Sequence, residues 1–175
     1  MMCPQCGHKM RRSSVSRYHY RESGLDNVYL RDVGVHKCEC GEKLIQIHAI
    51  QRLHEAIAYH LLKKHALLTG PEFRFLRQWI GLTAKRLASA LGIKTRVSIS
   101  RWENGKAPIT PATDHAMRLL VMRLKEETVN QRMFSEIGIQ ERFERISTKP
   151  SRPSKITISL STLKNLPFPS LPVAG

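Results

Sequence analysis

Leu82-Thr83-Ala84-Lys85-Arg86-Leu87-Ala88-Ser89-Ala90-Leu91-Gly92-Ile93, followed after a short gap by Ile99-Ser100-Arg101-Trp102-Glu103-Asn104-Gly105, is the stretch on which the fold turns. Thr83 is placed to cap a helix from Ala84 to Leu91, which Gly92 ends. A second helix starts after Thr95 and stops at Gly105. Leu87, Ala88 and Leu91 share one face of the first helix, and Ile99 and Trp102 share one face of the second. The small Ala88 lets the two cross closely.

Working outward, the same punctuation continues on both sides. Thr69 with Glu72 three residues later forms a capping-box signature, and Pro71 is tolerated in a first helical turn. That helix runs to about Trp79, where Gly81 stops it. Thr110 and Pro111 open another, with Met117, Leu120, Val121 and Leu124 on one face. Four helices joined by tight glycine turns make residues 69–125 a compact all-α unit.

Two crossed short helices of this kind have the logic of a helix-turn-helix, whose second helix enters the DNA major groove. With Ile99 and Trp102 inward, Arg96, Val97, Ser98 and Arg101 point outward. Arg101 suits a bidentate contact to guanine, and Val97 suits a thymine methyl. Lys85, Arg86, Lys94 and Lys106, together with Arg74, are placed for phosphates, which fix position without reading sequence. The plainer reading of Arg101 is a salt bridge on a solvated face, although Arg77 is the better partner for Glu103. The charge agrees with DNA. The 175 residues carry 29 Lys+Arg against 14 Asp+Glu, a net +15. Residues 70–125 hold eleven basic and three acidic residues, +8 of that excess. A polyanion partner follows, with nucleic acid first and an anionic membrane surface second.

The four cysteines all lie near the start: Cys3, Cys6, Cys38 and Cys40. Cys3-Pro4-Gln5-Cys6-Gly7 has the form of a zinc knuckle, and Cys38-Glu39-Cys40-Gly41 supplies a second, tighter pair. Together they offer the ligands of a closed tetrahedral Zn²⁺ site, one structural ion per chain. His36 or His8 could replace one sulfur; free thiols or a redox dithiol are the alternatives. A closed site has no open position for water and implies structure, not hydrolysis. The N-terminus lacks an apolar signal region, and no run reaches the roughly 18 apolar residues of a membrane span. The expected location is cytoplasmic, where thiols stay reduced and close cysteine pairs read as metal ligands.

The expected architecture is α+β. A small zinc-binding β domain spans residues 1–44, with short strands within Asp26–Val35, whose residues partly alternate apolar with polar. A connector helix in residues 45–68 carries Ile50, Leu53, Ile57, Leu61 and Leu68. The helix-turn-helix domain occupies 69–125, and an additional helical segment 126–146. A flexible tail rich in Pro and Ser covers 147–175, with one strand at 156–160 if a partner supplies an edge. Five prolines in the last 26 residues argue against packing there. Eight histidines gather around no site motif, so His54, His60 and His65 read as surface or packing residues, and no catalytic residue is expected.

Residues Pro71–Gly105 resemble the Xre-type helix-turn-helix, and the Cys-Pro-x-Cys-Gly start resembles the YgiT-type zinc finger. In this order the pair resembles the MqsA-like antitoxin and regulator family over about residues 1–125. The resemblance implies a zinc-binding N-terminal domain, a dimerising DNA-binding domain, and often a ribonuclease-type toxin encoded alongside. Ser100-Arg101 matches a family position at which Arg reads a base. Three departures stand out: Val97 where the family antitoxins use Asn, one extra residue in the turn near Lys94, and C-x-C as the second cysteine pair. The expected function is a homodimeric, operator-binding repressor acting as an antitoxin that autoregulates its operon. The alternatives are a stand-alone Xre-type regulator without a toxin, and a transposition or nuclease accessory protein.

Overall fold

A computed structural model describes residues 1–126 and 152–165. Five strands come first: β1 (Arg11–Val15), β2 (Tyr18–His19), β3 (Val28–Arg31), β4 (Val33–Lys37) and β5 (Lys43–Gln46). Five helices follow: α1 (Ile50–Leu62), α2 (Gly70–Trp79), α3 (Ala84–Ala90), α4 (Arg96–Glu103) and α5 (Pro111–Glu126). Strand β6 (Ile156–Ser159) and a 3-10 turn (Thr162–Asn165) close the described chain. The architecture is α+β, with the strands ahead of the helices apart from β6.

The strands form two three-stranded sheets, β1-β4-β5 and β2-β3-β6. The alternating stretch 26–35 is split between them, and Asp32 is the reason. Val28 and Leu30 face inward on β3, whereas Val33 and Val35 do so on β4. The inward phase therefore slips by one residue at Asp32, whose backbone sits in the left-handed region (φ 58°). A strand has a side-chain period of two, so that slip lets consecutive strands serve different sheets.

The expected flexible tail is corrected between residues 152 and 165. Ile156–Ser159 lies parallel to β3, in the register Val28↔Ile156 to Arg31↔Ser159. The edge comes from this same chain. Ile156, Ile158 and Leu163 are buried, and the Asn27 amide donates to the Ser154 carbonyl at 2.5 Å. Apolar alternation with an open edge outweighs the nearby prolines, because Pro153 precedes the ladder and removes no bond from it. The additional helical segment expected at 126–146 lies outside the described residues beyond Glu126.

Helix α1 is shorter than the connector periodicity implied. Leu53, Ile57 and Leu61 are buried, but Ile50 is exposed and Leu68 is buried beyond the helix end. One buried cluster runs from Tyr20, Val28 and Leu30 through Leu53 and Ile57 to Phe73, Leu87, Ile99 and Met117. Helix α1 is thus a packing element between sheet and helices, not a spacer. Met117 and Val121, from the apolar face of α5, belong to this core.

The end of α1 is closed by a residue from α5. The fully buried Arg118 guanidinium donates to the carbonyls of Leu61, Leu62, Lys64 and Ala66 at 2.9–3.1 Å. Asp114 accepts from Arg118 Nε at 2.7 Å and from the Leu68 amide at 2.7 Å. A buried cation with every bond directed in this way satisfies helix-end carbonyls that no water reaches. Glu72 acts similarly at the start of α2, accepting from the Thr69 amide and from Lys64 Nζ, each at 2.7 Å.

Candidate nucleic-acid interface and metal centre

The helix pair is built as its punctuation suggests. Thr83 Oγ1 accepts from the Arg86 amide at 3.2 Å and starts α3. Gly92, at φ 66°, turns the chain, and the Ile93 amide closes back on the Ala88 carbonyl at 2.8 Å. Leu87, Ala88 and Ile99 are buried between α3 and α4, and Trp102 is half-buried with its edge toward Phe73.

Helix α4 is fixed from behind by ions. Glu103, buried, accepts from Arg77 Nε at 2.6 Å and from a second Arg77 nitrogen at 3.1 Å. Arg77 also donates to the Leu82 carbonyl at 2.8 Å, so one guanidinium joins α2, the α2–α3 turn and α4. Arg74 donates to Glu103 at 3.3 Å and to the Asn104 side chain at 2.7 Å. Arg74, a half-exposed side chain, therefore supports α4 from the edge of the fold. Asn104 in turn donates to the Ser100 carbonyl at 2.8 Å. Close approach matters as well: a Cβ on Gly70 would collide with the carbonyl oxygens of Trp102 and Glu103, the latter at 2.8 Å.

The outer surface of α4 contrasts with this. Arg96, Val97 and Arg101 are exposed, Val97 at 58%, whereas Ser98 is half-buried. Lys85, Arg86, Lys94 and Lys106 are exposed around them. Among the described residues, no hydrogen bond or ion pair engages the side chains of these basic residues or of Arg101. The two carboxylates nearest in fold and sequence, Glu72 and Glu103, are both turned inward. What remains outside is cationic, with one apolar side chain at Val97, which is the chemistry of a DNA-facing helix. The supporting roles of Arg74 and Asn104 carry no sequence signal, since both look like surface residues on helical periodicity.

The cysteines converge at the other end of the chain. The sulfurs of Cys3, Cys6, Cys38 and Cys40 all lie within 4.8 Å of one another. Cys3–Cys40 is 3.6 Å and Cys6–Cys38 is 3.4 Å. Four ligands at about 2.3 Å from a tetrahedral ion would stand about 3.8 Å apart, so the set can hold a metal ion. A disulfide would need sulfurs about 2.0 Å apart, and none of the four is so joined.

Two turns deliver them. Gly7 N–H donates to Cys3 O at 2.9 Å, and Gly41 N–H to Cys38 O at 3.1 Å, both glycines having positive φ. His8 Nδ1 lies 3.4 Å from the Cys6 sulfur. His36 is directed to Gln46 at 3.2 Å. The four sulfurs gather without either histidine.

Their acidities differ. Burial works against ionising Cys3, yet the Cys6 and Gln5 amides and the Cys40 and Cys38 thiols bring it down to about 7. At Cys40 the Glu42 amide favours the thiolate, but the Cys38 and Cys6 thiols outweigh it and push the value up to about 12. Four thiolates share this space only if a cation offsets their charge.

No helix among the described residues is long and apolar enough to cross a membrane. No curated protein and no solved structure matches the chain. Residues 73–113, from α2 to the start of α5, match a family model described as helix-turn-helix. That stretch is similar to the helix-turn-helix of DNA-binding transcriptional regulators.

Proposed function

We propose that the protein is a zinc-stabilised, cytoplasmic, sequence-specific transcriptional repressor that binds operator DNA as a homodimer. The observation that carries this reading is the outward face of α4. Among the described residues, Arg96, Val97 and Arg101 are presented without side-chain partners, on a helix locked from behind by Arg77, Glu103 and Arg74. In this reading Arg101 contacts a guanine, Val97 a thymine methyl, and Ser98 a neighbouring edge or phosphate. Lys85, Arg86, Lys94 and Lys106 hold the backbone and make binding salt-dependent. Exposed Leu119 and Leu124 on α5 form the seam between copies, placing two α4 helices about one DNA turn (roughly 34 Å) apart. The four cysteines bind one structural Zn²⁺.

Selection of bound duplexes from random DNA, followed by sequencing, identifies the operator. Arg101→Ala then costs about 1–3 kcal/mol at that operator and relaxes preference at one position. Unchanged affinity and preference would remove Arg101 from the reading surface.

The antitoxin role rests on the order of the two modules, cysteine turns before helix-turn-helix. On this reading the N-terminal domain binds a ribonuclease-type toxin and α4 autoregulates the operon. A small ribonuclease encoded next to this gene, whose toxicity co-expression relieves, is the expected finding. Toxicity that persists on co-expression leaves the stand-alone regulator.

A further inference from the structure

The β2-β3-β6 sheet has a solvent face that the helix-turn-helix does not use. Val28 and Leu30 are fully buried, so Tyr29 and Arg31 project from the opposite side. The register sets His19 and Thr157 beside Tyr29, and Ser159 beside Arg31. His19 stacks on Tyr29 with ring centroids 4.8 Å apart. The Arg17 guanidinium lies 4.4 Å from the centre of the Tyr29 ring, and Lys155 Nζ lies 5.1 Å from it.

Two like charges thus converge on one ring from residues 138 positions apart in sequence, and β6 is what delivers the second. Their separation cannot exceed the two lengths taken together, about one Debye length at about 0.1 M salt. Among the described residues, no carboxylate pairs with Arg17, Arg31 or Lys155. Two nearby acids are engaged elsewhere: Glu22 accepts from the Tyr18 hydroxyl, and Asp32 accepts from Ser159 at 2.5 Å. Asp26, before β3, meets His19 through its backbone carbonyl and leaves its carboxylate exposed. An anion between the cations would relieve their repulsion while the ring fixes their positions.

We propose that this face is a second nucleic-acid contact, at which Arg17, Lys155 and Arg31 take backbone phosphates. It adds affinity without sequence preference, since phosphates carry no base information. A membrane is the poorer fit. Among the described residues, every exposed large hydrophobic residue lies elsewhere (Met1, Met2, Ile45, Ile50, Val97, Leu119 and Leu124), so this face offers lipid nothing to take up.

The test measures affinity of the full chain for a long mixed-sequence duplex across a salt series. Each phosphate contact adds about 0.9 to the slope of log affinity against log salt. Arg17→Gln and Lys155→Gln each flatten that slope by about 1, the double variant by about 2, and Lys155→Arg restores it. Both side chains are exposed, and an unchanged melting temperature confirms intact folding. A double variant with wild-type slope and affinity overturns the proposal. So does retention on phosphatidylserine vesicles that is lost in the double variant while the DNA slope stays fixed. The readout is separate from that of α4. Flattened slopes in a chain with no sequence preference would sink the base-reading role of Arg101 and leave this contact standing.

Discussion

The cysteine turns and the helix-turn-helix are held in opposite ways. Around the cysteines, Cys3 and Met10 are buried, but Cys6, Gly7, His8, Lys9, Cys40 and Gly41 are exposed, and no apolar cluster joins the two turns. The helix-turn-helix buries Phe73, Leu76, Leu87 and Ile99 in a shared core and ties α2 to α4 with the Glu103 ion pairs. The cysteine turns gather four sulfurs in place of a core, whereas the helices share a continuous core with α1 and the β2-β3-β6 sheet.

Removing the metal breaks this comparison most directly. Chelation, or Cys3→Ser, should abolish amide protection around residues 3–10 and 37–43 while leaving helices α2 to α5 protected. Hydrogen exchange on metal-loaded and stripped protein reads this region by region. Cooperative loss of the helices along with the turns would show that the two regions do not stand apart. Elemental analysis of unchelated protein should find about one zinc per chain.

The reverse experiment attacks the helical side. Arg118→Ala leaves Asp114 buried without its cation and four carbonyls without a donor, at a cost of about 3–5 kcal/mol. That is a large share of the roughly 5–15 kcal/mol that holds an ordinary domain. Denaturant titration should show it, with the isolated thiol–metal stoichiometry unchanged. Gly70→Ala is the milder version. Its Cβ must push the α4 carbonyls aside, at about 1–3 kcal/mol, and because α4 itself shifts, operator affinity should fall with stability. A Gly70→Ala protein of wild-type stability would mean that α2 and α4 do not approach as closely as this.

How much of this was legible in the sequence follows the same division. Helices were legible because their ends are marked locally: Thr69 with Glu72, Thr83, and the glycines at 81, 92 and 105. The cysteine pairs were legible because ligand spacing is itself a local signal. What escaped depends on distant partners. The strand at 156–160 showed in its alternation, but its partner β3 lies over a hundred residues away, so the edge it pairs with did not. Arg118 sits at a helical position where an arginine ordinarily faces water, and nothing near it announces the end of α1. Asp32 hid the change of sheet within an apparently continuous alternation. Arg74 read as a free cation because its partner, Glu103, comes from two helices further on.

The smallest expected effect concerns the joint between the regions. His54 on α1 meets the Tyr20 hydroxyl at 3.0 Å and sets its ring edge-on to Phe75 of α2, so one imidazole touches sheet and helices. Burial pushes its pKa below the ordinary 6.5, and burial with Lys63 does the same at His60. The unfolded chain therefore takes up these protons first as pH falls. The stability linked to neutral His54 is complete above about 6.5 and is lost as pH drops from there toward the depressed folded value. Glu55 works against this at lower pH, because burial raises its pKa and protonation favours the fold. The informative quantity is thus the difference between wild type and His54→Gln. Denaturation midpoints from about pH 8 to about pH 5, at saturating metal, should fall less steeply in the variant. Parallel profiles would show that His54 is neutral packing and that the joint carries no pH dependence of its own.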